Sequence, residues 1–512
     1  MKNYTINTGA EEFFHNQTLY CVGTGRMDLA LHSEYVQQLK LVQDKIGFDY
    51  IRGHGLFCKD MAIYQEYEKE DGSIIEEYNF TYLDQVMDMY QDCHIRPFLE
   101  LGFMPEKMAS GQNTVFYWKG NITPPADYDK WARLVQATLR HLMERYGVEE
   151  VLTWPVEVWN EPNLGSFWKD ADMQEYFHLY AVTSKAVKEV HPQFRVGGPA
   201  ICGVDDQRWL REFLDYVQKN ELPLDIVTRH HYTSYQPEKG GHYGYIELHK
   251  PEDAFAVLEK SREIVDSYDC FRDMQIHITE FNTSYIPNAP IHDTCLNAAY
   301  VAHMLSRLGD KHESYSYWTF GDVFEEVGVP FTPFHGGFGL VANACIPKPT
   351  FWTFAFYKNL KGKCVHRSED ALITCRENGV YYGVAWNPDG TGEGKEKDIT
   401  FTFALPEQED DAEYMVVEKV VDEQHANPLR TWHEMGEPAN PTREQNELLR
   451  EVARPDIRTR NVKAENSSLS ITITMQRNAV HAFTIRKIVR QQDNGYDYKR
   501  VIGQKMGNGE RL

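Results

Sequence analysis

From about residue 15 to residue 357 the chain alternates short apolar runs with longer segments whose apolar residues recur at helical spacing. Eight such runs can be counted, at 19–26, 48–55, 96–104, 152–160, 194–199, 225–232, 274–281 and 314–320. This is the texture of repeated βα units. Between the runs, Leu83, Val86, Met87 and Tyr90 fall at i, i+3, i+4 and i+7, and Met173, Tyr176, Phe177 and Tyr180 repeat the spacing, so amphipathic helices are expected there. Gly147 and Pro192 close two of the periodic segments. Eight units of this kind predict an α/β fold, a (β/α)8 TIM barrel over 15–357. A doubly wound sheet is disfavoured because no Gly-x-Gly-x-x-Gly turn follows the first run. In such a barrel chemistry sits at the C-terminal ends of the strands, so reactive residues are expected where the runs end.

Past residue 357 the pattern changes to short alternating runs without helical period, as in 380–386, 398–404 and 469–475. That predicts an accessory C-terminal β-sandwich over 358–490, joined by residues 1–14. The charged, Gly- or Pro-bearing stretches 390–397 and 427–443 are expected to be loops between its strands. The polar segment 491–512 reads as a tail or an oligomer contact.

Two carboxylates stand where barrel chemistry would be. The fourth run ends Pro155-Val-Glu-Val-Trp-Asn-Glu-Pro162 and the seventh ends Ile276-His-Ile-Thr-Glu-Phe-Asn282, which puts Glu161 and Glu280 at two strand tips facing one mouth. A lone Glu at a strand end is most often a solvated acid. The Asn-Glu-Pro triplet changes the balance, because Asn160 beside the acid can bind a sugar 2-OH and the proline stiffens the exit. Glycoside hydrolysis needs such a pair: a proton for the leaving oxygen and negative charge below the anomeric carbon. Glu161 is read as general acid/base, its neutral form favoured by Trp159, Phe167 and Trp168. Glu280 is read as the nucleophile, its anion favoured by hydrogen-bond donors. Retention requires their carboxyl groups to stand about 5–5.5 Å apart.

Composition narrows the partners. Aromatic residues make up 13% of the 512 residues, including 30 Tyr and 10 Trp, which suits surfaces that stack on sugar rings. A net charge of −23 disfavours nucleic acid and anionic membranes and does not repel a neutral substrate. The nine cysteines lack CxxC pairs and read as reduced thiols. No apolar stretch approaches the about 18 residues of a membrane span, and the N-terminus lacks the apolar core of a secretion signal. The expectation is a soluble cytoplasmic protein.

The motifs Tyr50-Ile-Arg-Gly-His-Gly-Leu-Phe57, Phe116-Tyr-Trp-Lys-Gly-Asn-Ile-Thr-Pro-Pro125, Glu157-Val-Trp-Asn-Glu-Pro-Asn163, Thr279-Glu-Phe-Asn-Thr-Ser-Tyr285 and Tyr317-Trp-Thr-Phe320 through Glu326 closely resemble glycoside hydrolase family 39, particularly its bacterial β-xylosidases. The resemblance implies a retaining, exo-acting enzyme that releases terminal β-D-xylose from xylo-oligosaccharides, with no metal or organic cofactor. It also implies a homo-oligomer, up to a tetramer. It assigns Glu161 and Glu280 the roles above and implies sugar contacts from His54, Asn160, His230, Tyr232, Tyr285, Trp318 and Glu325. Each has a physical rationale. His54 can bond a hydroxyl, and Trp318 can floor the pocket. His230 and Tyr232 share a strand face that excludes His231, and with no third ligand spaced to help, a metal site is not expected. Either Glu325 or the adjacent Glu326 can grip paired hydroxyls; Glu325 is the one matched.

The same scaffold serves α-L-iduronidases and α-L-arabinosidases. No Arg/Lys cluster adjoins the motifs to bind an iduronate carboxylate, whereas pentose stereochemistry is not legible in sequence. A non-catalytic carbohydrate-binding protein is disfavoured because both carboxylates are present.

Overall fold

The computed structural model describes residues 2–489 except 308, 406–408 and 410. Its centre is a closed barrel of eight strands. In chain order these are Cys21–Arg26, Tyr50–His54, Arg96–Leu101, Val156–Val158, Val196–Ile201, Ile226–Tyr232, Ile276–Asn282 and Ser314–Tyr317, paired in parallel throughout. Each is followed by a helix: Ser33–Lys45, Thr81–Asp92, Tyr128–Tyr146, Met173–Val190, Asp206–Lys219, Pro251–Asp266, Cys295–Leu305 and Pro349–Tyr357. The predicted TIM barrel is therefore the observed one.

Local chemistry explains the elements. The helix Tyr128–Tyr146 begins at Asp127, whose side chain accepts the backbone N–H groups of Asp129 and Lys130. It buries Trp131, Leu134, Val135, Thr138, Leu139 and Leu142 as one stripe against the barrel, and Gly147 ends it at φ 91°. The helix Met173–Val190 is capped in the same way by Asp172. Strands four, five and seven are buried on both faces, as parallel strands covered by helices are.

Four of the barrel ladders lose register near the strand ends that carry the chemistry, between Gly23 and Arg26, Pro199 and Ile201, Arg229 and His230, and Ile278 and Phe281. Such irregularities re-aim side chains at barrel rims.

The C-terminal part is two antiparallel-built sheets. A six-stranded sheet runs in the order Lys363–Arg367, Ala371–Cys375, Tyr381–Trp386, Val480–Lys487, Glu413–Val421, Asp456–Lys463. A three-stranded sheet runs Lys2–Ile6, Lys397–Ala404, Ser468–Met475, the N-terminal strand pairing in parallel with the middle one. Ile399, Phe401 and Phe403 alternate inward to meet Leu469, Ile471, Ile473, Phe483 and Ile485.

The expectation of an unbroken loop over 427–443 is corrected. Pro428–Glu434 is helical, and a second helix, Arg443–Val452, follows it. Asn427 caps the first, and Thr442 with Gln445 forms a capping box on the second. Both are short; the first lies among Pro and Gly residues, and the second is mostly charged or polar with Leu449 its buried residue, so neither presents the broad apolar stripe of a core helix. Trp432 and Leu449 pack on Phe334, Ala342 and Ile346 of the segment after the eighth strand. The expected tail 491–512 lies outside the described residues.

Trp318 lies against the first strand at a position that tolerates no side chain. A Cβ added to Gly23 would stand 2.4 Å from Trp318 Cε3 and 3.1 Å from the Tyr317 carbonyl oxygen. Gly23→Ala is expected to cost about 1–3 kcal/mol by overpacking, read as a lower urea midpoint; an unchanged midpoint would contradict this packing.

Candidate active site

The C-terminal strand ends converge on one cavity of about 520 Å³. Beneath it lies Arg52 of the second strand, whose side chain has no exposed surface. Its Nε donates to Glu157 Oε2 at 2.6 Å, its Nη1 to Glu280 Oε1 at 2.7 Å and its Nη2 to Asn160 Oδ1 at 2.9 Å. Nη2 also stands 2.9 Å from Glu100 Oε2. Thr279 Oγ1 donates to the other oxygen of Glu157 at 2.7 Å. A buried cation is tolerable only when surrounded in this way. Burial opposes the charge on Arg52, but the carboxylates of Glu157, Glu100 and Glu280 overcome it and raise its pKa further.

Glu280 thus has a cation on one oxygen. On the other, Tyr232 Oη donates at 2.6 Å. Glu161 is placed differently. The tip of the fourth strand is held at φ 73° for Trp159 and 45° for Glu161, and Glu161 N donates to the Ala200 carbonyl at 2.9 Å. Non-glycine residues in this region store backbone strain, here at the point where both Asn160 and Glu161 turn to the cavity. Trp159 packs edge-on against Trp168 behind the acid, while Phe167 lines the cavity wall. Glu161 Oε1 is 2.8 Å from Nδ1 of His230, which also stands 3.4 Å from Glu280 Oε2. One oxygen of each carboxyl and a ring nitrogen of His230 all lie within 4.8 Å of one another.

Burial pushes both carboxyls up. Glu161 goes well above the usual range, with the charge of Glu280 adding to the burial effect. For Glu280 the rise is opposed by Arg52, His54 and the Tyr232 hydroxyl. The proton of the pair therefore resides on Glu161. Among the described residues, these two carboxyls with His230 are the one group spaced to hold a metal ion. A carboxyl held in its acid form is a poor metal ligand.

Both carboxylates and every sugar contact expected from the sequence except Glu325 line this cavity. His54 Nδ1 is 2.7 Å from Glu100 Oε2, leaving Nε2 at 3.5 Å from Glu280 Oε1 and 3.8 Å from Glu326 Oε1. Burial depresses the His54 pKa to about 3 and raises that of Glu100 to about 8. His230 is also held neutral by burial. Trp318 lies 4.7 Å from the His54 ring, centroid to centroid. Tyr285, 40% exposed, stands at the rim and donates to Gln236 Oε1 at 2.9 Å.

Two expectations are corrected. Glu326 lines the cavity, whereas Glu325 turns away to pair with Arg26 Nη2 at 2.7 Å. The two are adjacent in a loop without regular alternation, so period alone does not separate them. Burial, then the charges of Glu280 and Glu161, push the Glu326 carboxyl well up. His231, expected to be excluded, also borders the cavity, because the space extends to both faces of the sixth strand.

Arg52, Glu100, Glu157 and Phe338 were not singled out by the sequence reading. Arg52 was findable: it is a cation in the middle of a buried strand, two residues before His54 and on the same face. Glu100 and Glu157 stand out in the same way.

Residues 8–468 match the model of glycosyl hydrolases family 39. A β-xylosidase of Geobacillus stearothermophilus is 46% identical over 500 residues, covering 97% of each chain. One from Caldicellulosiruptor saccharolyticus is 34% identical, covering 91% of this chain and 94% of that one. The crystal structure of a β-xylosidase from Caulobacter crescentus, described as monomeric, superposes with a TM-score of 0.85 at 31% identity, covering 96% of this chain and all of that one.

Arg52→Met leaves Glu100, Glu157 and Glu280 without their cation. Breaking a buried pair costs about 3–5 kcal/mol, and the deficit has a pH signature. A carboxyl whose folded pKa lies above its unfolded value destabilises the fold as pH rises past the unfolded value, and removing Arg52 enlarges that rise. The loss of urea midpoint relative to wild type should therefore be larger at pH 8 than at pH 5; equal deficits would contradict the charge network.

Proposed function

The chain belongs to glycosyl hydrolase family 39, and from that premise we propose that it is a retaining, exo-acting β-xylosidase with Glu161 as acid/base and Glu280 as nucleophile. The observation that carries the reading is the unequal environment of two buried carboxyls facing one cavity. Glu280 has Arg52 and Tyr232 on its oxygens, whereas Glu161 has an uncharged imidazole. Their closest oxygens lie within 4.8 Å, which favours the about 5–5.5 Å spacing of double displacement over the about 6.5–9.5 Å that admits a water for direct inversion.

In the first step Glu161 transfers its proton to the glycosidic oxygen as that bond breaks, and a Glu280 oxygen bonds to the anomeric carbon. Arg52 and Tyr232 hold the carboxylate beneath the sugar and exchange partners as its charge is spent. Esterification removes the Glu280 charge, one of the causes that raise Glu161 beside burial, so the Glu161 pKa falls and its carboxylate stays ionised, available as a base, when water enters. It then takes a proton from water, whose oxygen attacks the anomeric carbon and releases β-xylose. His54, Asn160, Tyr285, Trp318 and Glu326 are assigned to the xylose ring and its hydroxyls. The buried end of the cavity, closed by Trp318 and Phe338, supports exo action on a terminal residue. Xylo-oligosaccharide is the substrate in this reading. Nine free thiols support a cytoplasmic setting, and the family resemblance supports a homo-oligomer.

The roles are tested by leaving-group dependence. Glu161→Ala should lower kcat/KM about 10²–10⁴-fold on xylobiose but change it little on 2,4-dinitrophenyl β-xyloside, whose glycosylation step needs no protonation; equal losses of kcat/KM on both would remove Glu161 from the acid role.

A further inference from the structure

The motif that carries the proton donor, Glu157-Val-Trp-Asn-Glu-Pro-Asn163, ends on a residue with no part in the chemistry described above. Asn163 is 5% exposed and does not line the cavity. Its side chain reaches across to the segment that follows the fifth strand. There Nδ2 donates to the carbonyls of Cys202 at 3.0 Å and Val204 at 2.7 Å, and Oδ1 accepts the Cys202 N–H at 3.1 Å. Both donors and the acceptor of the amide are spent on backbone groups, leaving it nothing to offer a sugar from this buried position.

These bonds brace the turn on which Glu161 sits. Glu161 is held at φ 45°, and its N–H donates to the Ala200 carbonyl at 2.9 Å. Ala200, itself at φ 53°, is fixed in turn, because its N–H donates to Thr228 Oγ1 of the sixth strand at 3.1 Å. Pro162 follows Glu161 and has no N–H with which to add a tie. The turn is therefore attached to the fifth strand and its extension at two points, once through the backbone of Glu161 and once through the side chain of Asn163. A non-glycine residue keeps a left-handed backbone only where its surroundings over-determine it. With the second attachment gone the turn is free to relax, and the direction of the Glu161 carboxyl changes with it. Glu280 is held independently by Arg52 and Tyr232, so its position does not depend on this turn.

We propose that Asn163 is a positioning residue for the proton donor: by stapling residues 161–163 to the backbone of Cys202 and Val204, it holds the Glu161 carboxyl where the glycosidic oxygen is protonated. It acts through Glu161 and touches no substrate. The proposal rests on the reading of Glu161 as acid/base. Its consequence is selective, since loss of the staple impairs proton delivery and spares attack by Glu280.

The test measures kcat/KM of Asn163→Ala on xylobiose and on 2,4-dinitrophenyl β-xyloside. Rates are expressed per site titrated by 2,4-dinitrophenyl 2-deoxy-2-fluoro-β-xyloside, whose reaction requires the nucleophile and no proton donor, so misfolded chains are not counted. Asn163→Ala should lower xylobiose turnover about 10- to 100-fold while the activated substrate stays within about twofold of wild type. Across aryl β-xylosides of rising leaving-group pKa the loss should grow with that pKa, a trend that a merely structural role would not produce. Asn163→Ser, the milder change because it keeps one donor, should show the same trend more weakly, and it decides the matter where Asn163→Ala gives no titratable sites. Unchanged xylobiose turnover per site, or losses that do not depend on the leaving group, would overturn the positioning role. Glu161→Ala separates this from failure of the underlying reading: if its own losses ignore the leaving group, the acid/base assignment falls and the role of Asn163 with it, whereas a leaving-group-dependent Glu161→Ala beside an indifferent Asn163→Ala overturns the staple alone.

Discussion

The site depends on one buried guanidinium shared among several carboxyls. Arg52 is removed from water, and its favourable contacts are Glu157, Glu280, Glu100 and the Asn160 side chain. In a medium of low polarisability such a cation sets the protonation of everything around it. It stabilises charge on Glu280, which it touches, more than on Glu161, which it does not. Because carboxyls so close resist double ionisation, the proton is driven to the more distant member. The division of labour between acid and nucleophile follows from where one side chain of the second strand ends.

The barrel supplies the rigidity this requires. Arg52 comes from the second strand, Glu100 from the third, Glu157 from the fourth and Glu280 from the seventh, so the charge network ties four strands across the barrel interior. Strand regularity is abandoned only near the tips, where register shifts and the positive φ angles of Trp159 and Glu161 turn consecutive residues toward one cavity. Strain placed there is held by packing behind it, as with the Trp159 and Trp168 rings.

Much of this was legible in the chain because burial writes itself into composition. The eight apolar runs became the eight strands, with ends displaced by a few residues. Glu161 and Glu280 were visible because a carboxyl closing an apolar run is conspicuous. What escaped had weaker marks. Glu325 and Glu326 are neighbours in an irregular loop, and only coordinates show that Arg26 claims the first. His231 was set aside by strand alternation, which holds for the barrel interior but not for a cavity that folds over the strand tip. The helices Pro428–Glu434 and Arg443–Val452 were hidden because few of their residues are buried, the first lying in a Pro- and Gly-bearing stretch and the second being mostly charged or polar.

The central claim is that the Arg52-bound carboxylate, and not its protonated partner, bonds to the sugar. Trapping with 2,4-dinitrophenyl 2-deoxy-2-fluoro-β-xyloside, followed by peptide mass spectrometry, tests it most directly, since the fluorine slows the second step and leaves the glycosyl ester in place. The account predicts one label per chain, on Glu280. A label on Glu161 or Glu326, or complete inactivation of a Glu280→Gln variant by the same ester linkage elsewhere, would contradict it.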